Sequence, residues 1–204
     1  WSRREVDHDL PGDNPLVRGL GAASILNALM RDGDVIDIGC QSNLVGISWP
    51  IAAIQVDRTG KLDPYYMPSG MVTSLYSKEH GDYRLEMTEE GVPTYEQPYR
   101  MGGISPAKKV DYLDALATGD QKGVYIHVLN REFDMPLAIR INLADLKIGD
   151  ASGTQYLMVG TTDQMHAHKR PAAKIVSRPV DIKNGWADVT LPPRSVSIIE
   201  VSRR

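Results

Sequence analysis

Four glutamates, Glu86, Glu89, Glu90 and Glu96, are the nearest this chain comes to a set of acid–base groups, because a pair of carboxylates can divide general-acid and general-base work. Carboxylates so close along a chain ordinarily form a solvated face, and no spacing here aims two of them into one cleft. His166 and His168 lie on one side of an extended segment and make half a metal site. No third ligand accompanies them, and Lys169-Arg170 beside them repels a cation. Asp9, Asp13, Asp32 and Asp34 flank a helix but lack the alternating calcium loop with its central Gly and terminal Glu, so capping and turns account for them. The single cysteine, Cys40, excludes an internal disulfide. It sits in an apolar run and reads as a small core residue rather than a catalytic thiol. Gly102-Gly103 has no strand leading in and no Lys-Ser/Thr after it, so it is not a phosphate loop. Tyr65, Tyr66, Tyr76, Tyr95 and Tyr99 could stack on sugar faces, although aromatic residues are only 6% of the chain and packing explains most of them. No metal and no cofactor is expected.

The elements that would position any such group divide the chain unevenly. It has 204 residues, 42% of them apolar, and a net charge of −3 with the signs interspersed. That balance draws it neither to nucleic acid nor to an anionic membrane, and no apolar run is long enough for a membrane helix. No initiator Met and no signal-like stretch stand at Trp1-Ser2-Arg3-Arg4-Glu5, which fits a cut or processed start. After a turn at Pro11-Gly12, Asn14 reads as an N-cap and Pro15 as the first helical residue. Leu16, Leu20, Ala23, Leu26 and Met30 recur at helical spacing until Asp32-Gly33, which predicts an amphipathic helix over Pro15–Arg31. The continuous apolar runs Val35–Ile38 and Leu44–Ile47 predict strand covered on both faces, as in an α/β layer. One helix and one buried strand do not make a domain.

Beyond a soft boundary between Pro50 and Lys61 the character changes. A short helix is expected at Ser69–Ser77. Strands are expected at Tyr83–Met87, Tyr112–Thr118, Val124–Asn130, Leu137–Asn142, Tyr156–Thr161, Ala173–Val176, Trp186–Leu191 and Val196–Val201. Turns at Gly119-Asp120-Gln121-Lys122-Gly123 and Lys183-Asn184-Gly185 separate some of them. Asp111–Ala115 and Val124–Val128 alternate as half-buried strands do. The pattern is mainly β: an antiparallel β-sandwich of jelly-roll type preceded by a helix and a strand.

These stretches, in their order, resemble the C-terminal portion of family 51 glycoside hydrolases, chiefly the α-L-arabinofuranosidases. The match runs through Ala22–Arg31 with Asp34-Val35-Ile36, then Ser42–Ile47 with Pro50-Ile51, then Tyr65-Tyr66-Met67-Pro68 with Leu75–Lys78. It continues through Val92–Tyr95, Tyr112–Ala115, Val128–Arg131 and the terminal Leu191-Pro192-Pro193. The resemblance implies that residues 1–50 are the end of a (β/α)8 catalytic barrel (a TIM barrel) and that residues 51–204 are the C-terminal sandwich. It implies a retaining enzyme with two glutamates, both upstream of this chain, so that no catalytic residue is expected here and the chain by itself is inactive. Trp1 would follow the missing nucleophile. Asn43 stands where family members carry a sugar-binding glutamine, and it either hydrogen-bonds sugar or merely closes a loop.

The implied activity is release of terminal arabinofuranosyl groups from arabinan or arabinoxylan. The implied partners are an arabinose-containing oligo- or polysaccharide, the rest of the barrel and a second copy of the enzyme, and the family is often cytoplasmic. A family 51 endoglucanase and a non-catalytic carbohydrate-binding or accessory sandwich remain the alternatives. Without the barrel an apolar patch would be exposed, and because the family's sandwich can recruit strands from before the barrel, the resemblance also implies an unpaired sheet edge.

Overall fold

The computed structural model describes residues 15–40, 42–47, 52–100, 104–162 and 171–202. Trp1, Asp9, the Pro11-Gly12 turn, Asp13, the Asn14 cap, Pro50-Ile51, Gly102-Gly103, His166, His168 and Lys169-Arg170 lie outside these residues. Helix α1 spans Pro15–Arg31, the bounds its apolar spacing predicts. It is followed by three two-residue strands, β1 (Val45–Gly46), β2 (Ile54–Gln55) and β3 (Tyr65–Tyr66). Helix α2 then covers Pro68–Lys78, with Pro68 in its first turn, where the missing N–H costs nothing. The strands that follow are β4 (Tyr83–Leu85), β5 (Thr94–Gln97), β6 (Ala107–Asp111), β7 (Leu113–Gly119) and β8 (Gly123–Asn130). The last are β9 (Leu137–Asn142), β10 (Ala151–Gly160), β11 (Ala173–Ile182), β12 (Trp186–Leu191) and β13 (Ser195–Ser202).

The molecule is built on one antiparallel sheet of six strands in the order β11-β10-β13-β8-β7-β4. A two-stranded sheet, β12-β9, lies over one face and completes the β-sandwich. Val124, Ile126 and Val128 of β8 and Ile199 and Val201 of β13 pack into that core against Ala187, Val189 and Leu191. The alternate residues, Tyr125 and Leu129 of β8 with Val196 and Ile198 of β13, face the other way and meet Leu16, Ala23, Val72 and Leu75 of the two helices. A strand puts successive side chains on opposite faces, so a sheet covered on both sides buries every residue of β8. The half-buried alternation expected of β8 is therefore corrected: α1 and α2 form a third layer.

Turn chemistry sets the hairpins. Asp120 accepts from the backbone N–H of Lys122 and Gly123 at 2.7 and 2.8 Å and closes β7 onto β8. Asn184 and Gly185 both take positive φ, 50° and 80°, between β11 and β12, as a tight two-residue hairpin turn requires.

Other expectations needed revision. Val35–Ile38 forms no strand, and of Leu44–Ile47 only Val45–Gly46 pairs, in parallel with β2. Val35 and Ile38 are 77% and 79% exposed. Cys40 is exposed too, because nothing among the described residues covers the run that contains it. Strand β11 runs six residues past Val176, through Arg178 and Pro179. It is an edge strand, where a proline N can face solvent without breaking a ladder.

Helix α2 is held by close approach. The Met67 N–H donates to the Ala53 carbonyl at 2.9 Å, and a Cβ on Gly70 would lie 2.0 Å from that same carbonyl oxygen. Gly70→Ala must push α2 off residues 52–54. The expected loss is about 1–3 kcal/mol, the usual cost of overpacking, read as a lower urea midpoint; an unchanged midpoint would mean that this contact is absent.

Candidate functional site

The face of the six-stranded sheet beneath the helices carries a polar seam where apolar residues would be ordinary. Asp114 and Thr118 come from β7 and His127 from β8, and all three are buried. Asp114 is 5% exposed, an expensive place for a carboxylate unless it is paired. Arg31, in the last turn of α1, donates from Nη2 to Asp114 Oδ1, and Arg131, just past β8, donates from Nη2 to Oδ2 at 2.5 Å. Asn27 gives its amide to the Asp114 carbonyl and to Oδ1, both at 3.2 Å. Tyr76 of α2 donates to the Asn27 carbonyl oxygen at 2.8 Å. Ser24 accepts from Arg131 at 3.0 Å and lies 3.5 Å from Asp114 Oδ2. Ser24, Asn27 and Arg31 stand three and four residues apart, which puts them on one stripe of the helix. The C-terminal carbonyl of α1 is met by a cation, as Arg84 donates to Arg31 O at 3.0 Å.

Beside the seam, His127 lies against the Tyr76 ring at 4.9 Å, with Nε2 3.1 Å from Thr118 Oγ1. The Thr118 hydroxyl accepts from the Gly81 N–H at 2.9 Å and so has its proton to give to Nε2. Among the described residues His127 Nδ1 has no hydrogen-bond partner. Burial, helped by nearby His80, pushes the imidazole pKa down to about 3. Burial also raises the Tyr76 phenol, with Asp114 adding to the effect. The seam fixes helices to sheet, and its imidazole and phenol are both held neutral near pH 7.

A second buried polar corner holds the end of the sandwich. Asn130 donates to the carbonyls of Leu191 and Pro192 at 3.3 and 2.8 Å and accepts from the Glu132 N–H at 2.9 Å. Arg194, at φ 51°, donates from its backbone to Glu132 O and lays its guanidinium 4.4 Å from the Phe133 ring centre.

The residues singled out in sequence fare unevenly. Glu86, Glu89, Glu90 and Glu96 are all exposed, as are Asp32 and Asp34. Among the described residues, no cluster of three or more His, Cys, Asp or Glu could hold a metal. The tyrosines differ in setting: Tyr76 is buried in the seam, Tyr95 packs on Tyr112 with ring centres 4.7 Å apart, Tyr65 is half-buried in β3, and Tyr66 and Tyr99 are exposed. Asn43 takes φ 57° just before β1, where asparagine is the residue type that tolerates a left-handed backbone. Its carbonyl accepts from the Ala53 N–H at 3.2 Å and its side chain is exposed. Asp114, Arg131, Asn27 and Arg31 were not singled out individually, yet each falls in a stretch that carried the family resemblance.

Comparison with known proteins places this architecture. No family model matches the sequence, and no curated protein matches it. Solved structures do match. The α-L-arabinofuranosidase of Thermotoga maritima, determined as an arabinose complex, is 21% identical with a TM-score of 0.78, over 92% of this chain and 38% of that one. The family 51 enzyme of Thermotoga petrophila is 21% identical with a TM-score of 0.79, over 98% of this chain and 41% of that one. The family 51 arabinofuranosidase of Xanthomonas axonopodis pv. citri is 16% identical with a TM-score of 0.74, over 98% and 39%. The chain shares their fold across nearly its whole length and spans about two fifths of theirs.

Two outcomes follow from the seam. Asp114→Ala leaves Arg31 and Arg131 facing each other without their anion. Their side chains are 38% and 27% exposed, so solvent softens the penalty to roughly 2–3 kcal/mol, below that of a fully buried pair. Urea unfolding reads this, and a change under 1 kcal/mol, roughly the worth of an exposed pair, would demote the seam to surface decoration. His127 folds neutral with its pKa depressed, so its contribution is complete above pH ~6.5 and is lost as pH falls toward about 3. His127→Gln should flatten the pH dependence of the melting temperature between those limits, and an identical slope in both proteins would contradict the assignment.

Proposed function

We propose that this chain is the C-terminal part of a retaining glycoside hydrolase, an α-L-arabinofuranosidase, and that residues 1–50 complete its catalytic (β/α)8 barrel while residues 51–204 form its sandwich. The observation that carries the proposal is a helix with a second apolar face. α1 buries Leu16, Gly19, Ala23 and Asn27 on the sandwich side, yet Val17 and Ile25 elsewhere on it are exposed, as are Val35, Ile38, Leu44, Val45 and Ile47 beyond it. So much exposed apolar surface in one 31-residue span calls for a covering layer. The parallel β1–β2 pair, in a structure whose other strand pairs are antiparallel among the described residues, fits the edge of such a layer.

Under this proposal the two catalytic glutamates come from barrel strands outside the chain. They stand roughly 5–5.5 Å apart, the separation that lets one attack the anomeric carbon while the other protonates the leaving oxygen. Asn43 sits at the rim and offers its amide to a sugar hydroxyl; its exposed side chain, at the foot of β1, supports that role. The sandwich contributes no chemistry and holds α1 in place through the seam.

The test is hydrolysis of an aryl α-L-arabinofuranoside by the 204-residue chain beside a longer protein that includes a complete barrel. Activity is expected only in the longer protein. Asn43→Gly, which removes the amide and keeps the left-handed backbone, should lower kcat/KM there by about tenfold, one sugar hydrogen bond's worth, with the melting temperature little changed. Turnover by the short chain, or by neither protein, would overturn the proposal. Turnover of β-glucan in place of the arabinofuranoside would move the substrate to the endoglucanase alternative.

A further inference from the structure

The arms of the β11–β12 hairpin part after their turn, β11 staying in the six-stranded sheet and β12 crossing to the two-stranded one. An open groove of about 670 Å³ lies between them, inside the roughly 300–1,000 Å³ of small-molecule sites. Its walls include Arg178 and Asp181 on β11, Asn184 in the turn, Trp186 and Asp188 on β12, and Arg140 on β9.

Three features give the groove a chemistry. Trp186 is 44% exposed on the wall of a groove whose other residues are mostly polar, and an indole so placed offers a flat apolar face with a polar edge. Arg140 and Asp188 stand directly opposite across β9–β12 and are joined by two parallel bonds, Nε to Oδ1 at 2.7 Å and Nη2 to Oδ2 at 3.0 Å. Both side chains are exposed, so the pair adds little to stability and serves instead to hold planar donors and acceptors in fixed directions. The hydrogen bond from Arg140 also keeps the Asp188 carboxyl below the usual carboxylate range, so it stays ionised and accepts bonds rather than giving a proton. Third, the β11 edge resists an added strand. Pro179 has no N–H to give, and Arg178, opposite Gln155 in the register, sets a charge beside it.

We propose that this groove binds a short neutral oligosaccharide, one sugar stacked on Trp186 and its neighbours' hydroxyls held by Arg178, Asn184 and the Arg140–Asp188 pair. Cations and anions are mixed along the walls, which suits hydroxyls that both donate and accept and does not favour a polyanion. The ligand class rests on the glycoside-hydrolase proposal; the groove and its indole do not.

The experiment is an NMR titration of the ¹⁵N-labelled 204-residue chain with xylohexaose and, separately, with α-1,5-linked arabinohexaose. Saturable shifts are expected at the Trp186 indole N–H and the Asn184 amide with at least one of them. Trp186→Ala should weaken binding by about tenfold or more, and Trp186→Tyr should restore most of it. Arg178→Ala, at an exposed position, should weaken it roughly three- to tenfold, the worth of one hydrogen bond. No saturable shift with either sugar, shifts that map away from Trp186, or equal binding by Trp186→Ala and Arg178→Ala chains of unchanged melting temperature would overturn the proposal. Binding at Trp186 in a protein whose longer form cleaves no arabinofuranoside would uphold the groove and sink the enzyme assignment. Cleavage without binding at Trp186 would do the reverse.

Discussion

Asp114 is a carboxylate on the central sheet, beneath two helices, and the third layer of this protein is arranged around keeping it company. An ionised group at that depth costs several kcal/mol if left alone. Here it is met by arginines from two directions, Arg31 from the end of α1 and Arg131 from the end of β8, while Asn27 and Ser24 close the remaining angles. Replacing such a cluster with well-packed apolar residues would often be at least as stable. What the ions add is registry. Apolar ridges tolerate sliding and rotation, whereas Ser24, Asn27 and Arg31 reach their partners at one rotation and one height of the helix.

That constraint explains the layering. With α1 pinned through the seam and α2 pinned to it by the Tyr76–Asn27 bond, the outer face of β8 and β13 becomes a second core. The same pinning turns Val17 and Ile25 away from the sheet. The apolar segment after α1 then runs along the outside of the molecule with little to cover it. A sandwich that holds a helix so firmly, and lets that helix present another apolar face, has the form of a base for a further layer.

Much of this was legible in the sequence, and the failures have physical causes. The Pro15–Arg31 helix and the strands Leu137–Asn142 and Trp186–Leu191 were fixed by periodicity and turn residues to the residue. Strand β10 begins with Ala151-Ser152-Gly153-Thr154, a stretch with no alternation, and it is a strand because β11 and β13 pair with it on both sides. Strand β11 continues past the expected Ala173–Val176 through Pro179, which its position at the sheet edge allows. The runs Val35–Ile38 and Leu44–Ile47 look like buried strand because composition records what a segment is suited to touch, not what is present to touch it. Cys40 reads as a core residue for the same reason and is exposed.

The candidate site divides similarly. Asn43 was reachable through resemblance alone, since a lone asparagine before a short strand carries no pattern of its own. The seam was hidden because its members are spread over more than a hundred positions, from Ser24 to Arg131. Each is unremarkable locally: a helical serine, a last-turn arginine, an aspartate in a stretch that reads as a half-buried strand although β7 is covered on both faces. The spacing of Ser24, Asn27 and Arg31 on the apolar side of an amphipathic helix was the one available sign.

Native-state hydrogen exchange of the intact chain tests the central claim most directly, because it reports the opening free energy of α1 and of the sheet separately. If Asp114 locks the helix to the sheet, amides in the last two turns of α1 should exchange with the same free energy as those of β8 and β13, in one cooperative unit. Exchange of α1 at a much lower free energy, while β8 and β13 stay protected to the global limit, would mean that the helix rests on the sheet without being held by it.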